Sequence, residues 1–129
     1  MTLTNTFKNL AMAASLILAT PVSAEMAIFR CTFDWVCDPN RKCDYANLDV
    51  RFKVDLVTEK VERIGKKNDL VELEMIFGDR AITILEKPIS GGLTSTTLMI
   101  NDGTAVRSEN EVKGHDLAPM QYLGECISM

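Results

Sequence analysis

Apolar and polar residues alternate along much of this chain with a period of two, most clearly in YANLDVRFKVDL, residues 45 to 56. Ala46, Leu48, Val50, Phe52, Val54 and Leu56 share one side of an extended backbone, and Asn47, Asp49, Arg51, Lys53 and Asp55 share the other. A helix would scatter those apolar residues around its circumference. A strand packed on one face and wetted on the other collects them, as in an antiparallel sheet.

Shorter segments repeat the pattern at intervals set by turns. The pattern predicts strands over 27–34, 59–64, 70–77, 81–86, 93–100, 104–109 and 119–127 in addition to the long one. Gly65 to Asp69, Gly78-Asp79, Pro88 with Ser90-Gly91-Gly92, and Asn101-Asp102-Gly103 punctuate them, the last being a strong hairpin signal. Residues 110–116 read as a polar loop. Residues 58–77 contain good helix formers, but Gly65 and Asn68-Asp69 interrupt a helix, and the alternation after Leu70 fits a strand. About eight short strands in a single domain predict an all-β fold. The expectation is a small antiparallel barrel, which removes exposed sheet edges, with a two-sheet β-sandwich as the alternative.

The N-terminus departs from this pattern. Residues 1–24 read as a signal peptide, with Lys8 in a weakly basic start, an apolar stretch from Leu10 to Ala19, and Val22-Ser23-Ala24 as a small-residue cleavage site. Cleavage between Ala24 and Glu25 leaves a domain of residues 25–129 bound for the periplasm or the exterior. The apolar stretch is shorter than the roughly 18 residues that a transmembrane helix needs. Loss of Lys8 takes the formal charge from −4 to −5, a sign that disfavours nucleic acid and anionic membranes and favours a cationic partner.

All four cysteines, Cys31, Cys37, Cys43 and Cys126, fall in the exported part, where an even number reads as a disulfide framework. Three pairings are open to them. Closure of an up-and-down barrel would bring the first and last strands together, favouring Cys31 with Cys126 and leaving Cys37 and Cys43 to pin the loop between them. The C-x5-C-x5-C spacing lacks the tight pairs of a zinc site and the C-x-x-C of a redox dithiol. The carboxylates Asp34, Asp38 and Asp44 lack the glycine turn of an EF-type calcium loop. No metal or cofactor is expected.

Catalytic groups are equally sparse. The single histidine, His115, lies in a polar stretch, and no serine carries a nucleophile motif. With the thiols bonded, the chain reads as a non-enzyme. Trp35, the only tryptophan, lies between Cys31 and Cys37, placed either to pack on a disulfide or to anchor a partner.

Taken together, the F-R-C start, SGGLTSTTLMINDGTA at 90–105 and Y-L-G-E-C at 122–126 resemble a group of small, uncharacterised exported proteins of alphaproteobacteria. A more distant resemblance is to the c-type lysozyme inhibitors of bacterial envelopes, eight-stranded barrels with an S-G-x-x-Y loop and a K-G-x-x-A hairpin. Ser90-Gly91 matches the start of that loop, Thr94 replaces its tyrosine, and Asp102 stands where the hairpin has lysine. The resemblance implies an exported binding protein, in its most concrete form an inhibitor of an envelope-degrading enzyme such as lysozyme. Trp35, Ser90, Gly91 and Asp102 are the candidate contacts. A carrier of a small apolar ligand in the barrel interior and an enzyme of another kind are the competing readings.

Overall fold

The computed structural model describes residues 25–65, 71–89 and 91–129; the expected leader, including Ala24, and Ser90 lie outside the described residues. The strands are β1 Met26–Cys37, β2 Cys43–Asp55, β3 Val61–Ile64, β4 Val71–Phe77, β5 Ala81–Pro88, β6 Thr94–Met99, β7 Thr104–Lys113 and β8 Asp116–Ser128. All pairings are antiparallel, in the order β3-β2-β1-β8-β7-β6-β5-β4. Consecutive strands are thus neighbours, β1 meets β8 in the middle of the sheet, and the sheet curls into a nearly closed barrel. β3 and β4 are its two edges, joined by no ladder among the described residues, and form a seam.

Alternation places the core as the sequence pattern requires. Val50, Phe52 and Val54 of β2 point inward with Cys31 and Phe33 of β1, Ile82 and Ile84 of β5, Leu98 of β6 and Met75 of β4. Leu56, counted with that face from the pattern, lies beyond the end of β2 and is exposed. Two disulfides lie across β-ladders: Cys31–Cys126 joins β1 to β8 in the core, and Cys37–Cys43 closes the β1–β2 hairpin.

One segment differs from its sequence reading. Residues 110–113 and 116–118 are not loop but the paired ends of β7 and β8, turning tightly at Gly114 and His115, and His115 is exposed. The ends of these strands rise beyond the packed core, so residues 110–117 are exposed on both faces and carry no alternation.

The ladders define two ends for the barrel. Loop 38–42, turn 114–115 and the β5–β6 connection carrying Gly91 lie at one end, called upper here. The turns after β2, β4 and β6 lie at the lower end with the start of β1 and the end of β8.

Candidate functional site

Continued alternation along β1 would take Phe29, Cys31, Phe33, Trp35 and Cys37 all to the interior. The register shifts by one between Phe33 and Trp35 against both β2 and β8. This β-bulge at Asp34 reverses the facing of everything beyond it, so Trp35 points outward and is 42 % exposed while Phe33 is fully buried. Gly124 makes the bulge possible. It stands opposite Phe33, and a Cβ there would lie 1.9 Å from the Thr32 carbonyl oxygen and 2.7 Å from Phe33 Cα.

Outside the barrel, Trp35 stands directly opposite Tyr45 of β2 on one side and Leu123 of β8 on the other. The Trp35 and Tyr45 rings stack at 4.5 Å with an interplanar angle of 29°. Leu123 is in turn opposite Val106 of β7. The result is an apolar row across four strands, spanning about 15 Å at the usual ~4.8 Å strand spacing. Tyr45 is 79 % exposed and Leu123 40 %. Two residues along from Trp35 and Tyr45 on this face come Cys37 and Cys43, so the short disulfide sits directly above the ring pair and fixes the hairpin that carries it. In loop 38–42, Asp38 Oδ1 accepts hydrogen bonds from the Asn40 and Lys42 backbone N–H groups at 2.9 and 3.0 Å. The carboxylates of Asp34 and Glu125, both exposed, flank the row and form no ion pair with a described residue, whereas Asp44, opposite Val36, belongs to the inner face at the upper mouth of the barrel.

A second unusual cluster lies inside the barrel toward its upper end. Glu86 of β5 continues the inward parity of Ile82 and Ile84, and its two carboxylate oxygens accept hydrogen bonds from Arg107 Nη1 of β7 and, at 2.9 Å, from Arg63 Nη1 of β3. Arg107 Nη1 also donates to Thr96 Oγ1 and its Nε to Glu109 Oε1, both at 2.9 Å. The Arg107 side chain is 3 % exposed. Nearby Tyr122, inward-facing and edge-on to Phe33, has its phenol pushed above its usual range, chiefly by burial and next by the Glu109 charge. Every buried side-chain nitrogen and oxygen among the described residues has a partner. Two guanidiniums thus balance two carboxylates within one network. Arg63 and Glu86 also connect β3 to β5 past β4, clasping the seam from inside.

The sequence-predicted contacts do not gather in one place. Trp35 lies on the outer face and Gly91 at the upper end, whereas Asp102 is in the β6–β7 turn at the lower end, about 20 Å from Gly91 along six-residue β6 at ~3.4 Å per residue. Asp102 serves the turn itself, since its Oδ1 accepts from the Thr104 backbone N–H at 2.9 Å, which holds its carboxyl below the usual range. Tyr45, Leu123 and the buried charges were missed by the sequence reading. Tyr45 had a signal, since it continues the polar face of the long alternating strand; the buried charges had one in the Ile82, Ile84, Glu86 parity. Among the described residues, no three His, Cys, Asp or Glu side chains converge as a metal would require, and no helix is long and apolar enough to cross a membrane. Comparison with protein-family models, with curated proteins and with solved structures finds no match.

Proposed function

We propose that this chain is an exported, non-enzymatic binding protein that engages a protein partner through the outer face around Trp35 and Tyr45. The observation that carries the reading is the bulge at Asp34. Without it the large indole would continue the buried side of β1; with it the indole is placed in water, stacked and stapled. Bulges commonly re-aim side chains at functional positions, and rigid exposed Trp and Tyr side chains are the residues that dominate protein interfaces. The site is built on ladder-paired strands rather than on a loop, which favours a preorganised contact.

The acidic balance of the chain favours a basic partner. An envelope-degrading enzyme such as lysozyme is the most concrete partner of that kind. Separation of Gly91 from Asp102 means that any such inhibition would work through the Trp35 face and not through the two motifs of the inhibitor family. A carrier role for the interior is disfavoured by the side chains that fill it, Phe33, Phe52, Ile84 and the Glu86–Arg107 pair.

The test compares the exported chain with its Trp35→Ala, Tyr45→Ala double variant as immobilised bait for envelope extract, alongside inhibition of lysozyme-driven cell-wall lysis. The reading expects a stoichiometric partner that the double variant fails to retain. Equal retention by both proteins, or none by the wild type, counts against it; undiminished lysis at large molar excess removes the lysozyme version alone.

A further inference from the structure

We infer that the open ring face of Tyr45 is a seat for a cationic side chain, an arginine guanidinium or lysine ammonium in a basic segment of the partner; this rests on the binding role proposed for the Trp35 face. One face of the Tyr45 ring is covered by Trp35 at 4.5 Å, and with the residue 79 % exposed the other is presented to solvent. The indole backing holds the phenol ring in place, so little side-chain freedom is lost when a ligand arrives. An aromatic face attracts a cation through its quadrupole, with the charge within about 6 Å of the ring centre.

Charge around the row selects the same ligand class. Asp34 immediately precedes Trp35, and Glu125 lies two residues beyond Leu123 on the same outer face. The nearby cations divide into Arg30, engaged by Asp49 at 2.8 Å, and Arg41 and Lys42, set apart in loop 38–42 beyond the disulfide. A second copy of the chain is a poor occupant, because a two-fold contact through this row would set two acidic faces against each other. A basic segment neutralises the carboxylates while its aliphatic stems cover Leu123 and Val106.

Trp35 is the only tryptophan of the chain and reports on its own site. The oxidised exported chain is titrated with tryptophan-free hexa-arginine amide and hexa-glutamate amide, with Trp35 emission as the readout. Hexa-arginine is expected to give a saturable change whose midpoint rises several-fold between about 0.05 and about 0.5 M salt, over which the screening length falls about threefold. Hexa-glutamate should give none. Tyr45→Leu should raise the midpoint about two- to fivefold, the value of an exposed cation–π contact. Neutralising Asp34 and Glu125 together should raise it further, whereas neutralising Glu59 and Asp79 at the lower end should leave it unchanged. Equal weakening by the lower-end pair would make the attraction a diffuse charge effect and overturn the seat. So would an unchanged midpoint in Tyr45→Leu, or an emission change with protein concentration alone, which would mark self-association. If the double alanine variant loses its envelope partner while Tyr45→Leu and the charge-neutralised variant keep it, the cation seat falls and the binding role stands.

Discussion

Replacing Glu86 by glutamine would remove the one charge placed between two guanidiniums inside the barrel. In the wild type Glu86 takes one hydrogen bond from Arg63 and one from Arg107, with side-chain exposures of 5 % for Glu86, 3 % for Arg107 and 16 % for Arg63. Glutamine keeps one acceptor but presents an amide N–H₂ group to whichever arginine faces it. Arg107 would retain Glu109 on its Nε, and Arg63 can reach some water, so the loss belongs at the lower end of the range for breaking a buried pair, about 3 kcal/mol. At roughly 4 to 6 °C per kcal/mol for a domain near this size, the melting temperature should fall by about 12 to 18 °C. In urea, a slope of about 1–3 kcal/mol per molar turns the same loss into a midpoint shift of about 1 to 3 M. Thermal and urea unfolding followed by far-UV circular dichroism measure both. The companion is the quadruple variant Arg63→Met, Glu86→Leu, Arg107→Met, Glu109→Gln, which removes both guanidiniums and both carboxylates of the cluster together. Replacement of a complete buried ion cluster by uncharged residues is often neutral or stabilising, so the quadruple variant should be more stable than Glu86→Gln despite four changes. A loss below about 1 kcal/mol for Glu86→Gln, or a quadruple variant less stable than the single one, would refute the view that uncompensated charge, rather than packing, sets the cost.

Other expectations test the frame around the site. Replacing Cys31 and Cys126 by alanine frees a 95-residue span of chain and should cost about 4 to 5 kcal/mol, against about 2 for the six-residue span of Cys37 and Cys43; equilibrium denaturation of the two variants checks the order. Gly124→Ala drives a Cβ into the β1 backbone at the bulge, so it should lower stability by a few kcal/mol and shift Trp35 emission, where Gly65→Ala, with open space around it, should leave the emission unmoved. Asp55 is held below the usual carboxyl range, first by the backbone N–H of Thr58 and next by that of Val57. Its stabilising contribution is therefore complete above the unfolded value near 3.8 and is lost as pH falls through the lower folded value. Asp55→Asn, which keeps an acceptor but no charge, should flatten the acid limb of a stability–pH curve without changing its neutral plateau by more than the plain loss of charge.

The fold was legible where one face of a strand is wet and the other is dry. The alternation of residues 46–54 follows directly from β2 having Val50, Phe52 and Val54 in the core, and Asp102-Gly103 announced the β6–β7 turn, in which Gly103 has φ +76°. Legibility failed where the environment breaks that rule. Residues 110–113 and 116–117 are strand without a dry face, so their polarity resembled a loop. Glu86 and Arg107 are charged yet internal, and a charge earns an inward place only from partners that are remote in sequence: Arg63 is 23 residues before Glu86, and Arg107 is 21 after it. The candidate site was half legible for a related reason. The sequence left Trp35 open between packing on a disulfide and anchoring a partner, and only the ladder registers on both sides show that the chain changes parity at Asp34.

That change of parity links architecture to the proposed binding role. A bulge placed at Asp34 costs β1 its regular register against two neighbours, and the structure around it is arranged to tolerate this: a glycine opposite Phe33, and disulfides on either side, Cys31–Cys126 three residues before Asp34 and Cys37–Cys43 three residues after. Had the requirement been stability alone, a regular β1 with its bulky apolar residues inside would have met it. The bulge instead transfers the largest side chain of the chain from core to surface, opposite Tyr45, on the strand that both disulfides hold. Rigid support for an exposed aromatic pair has little value in a protein that touches nothing, and much in one whose partner must find both rings already in position.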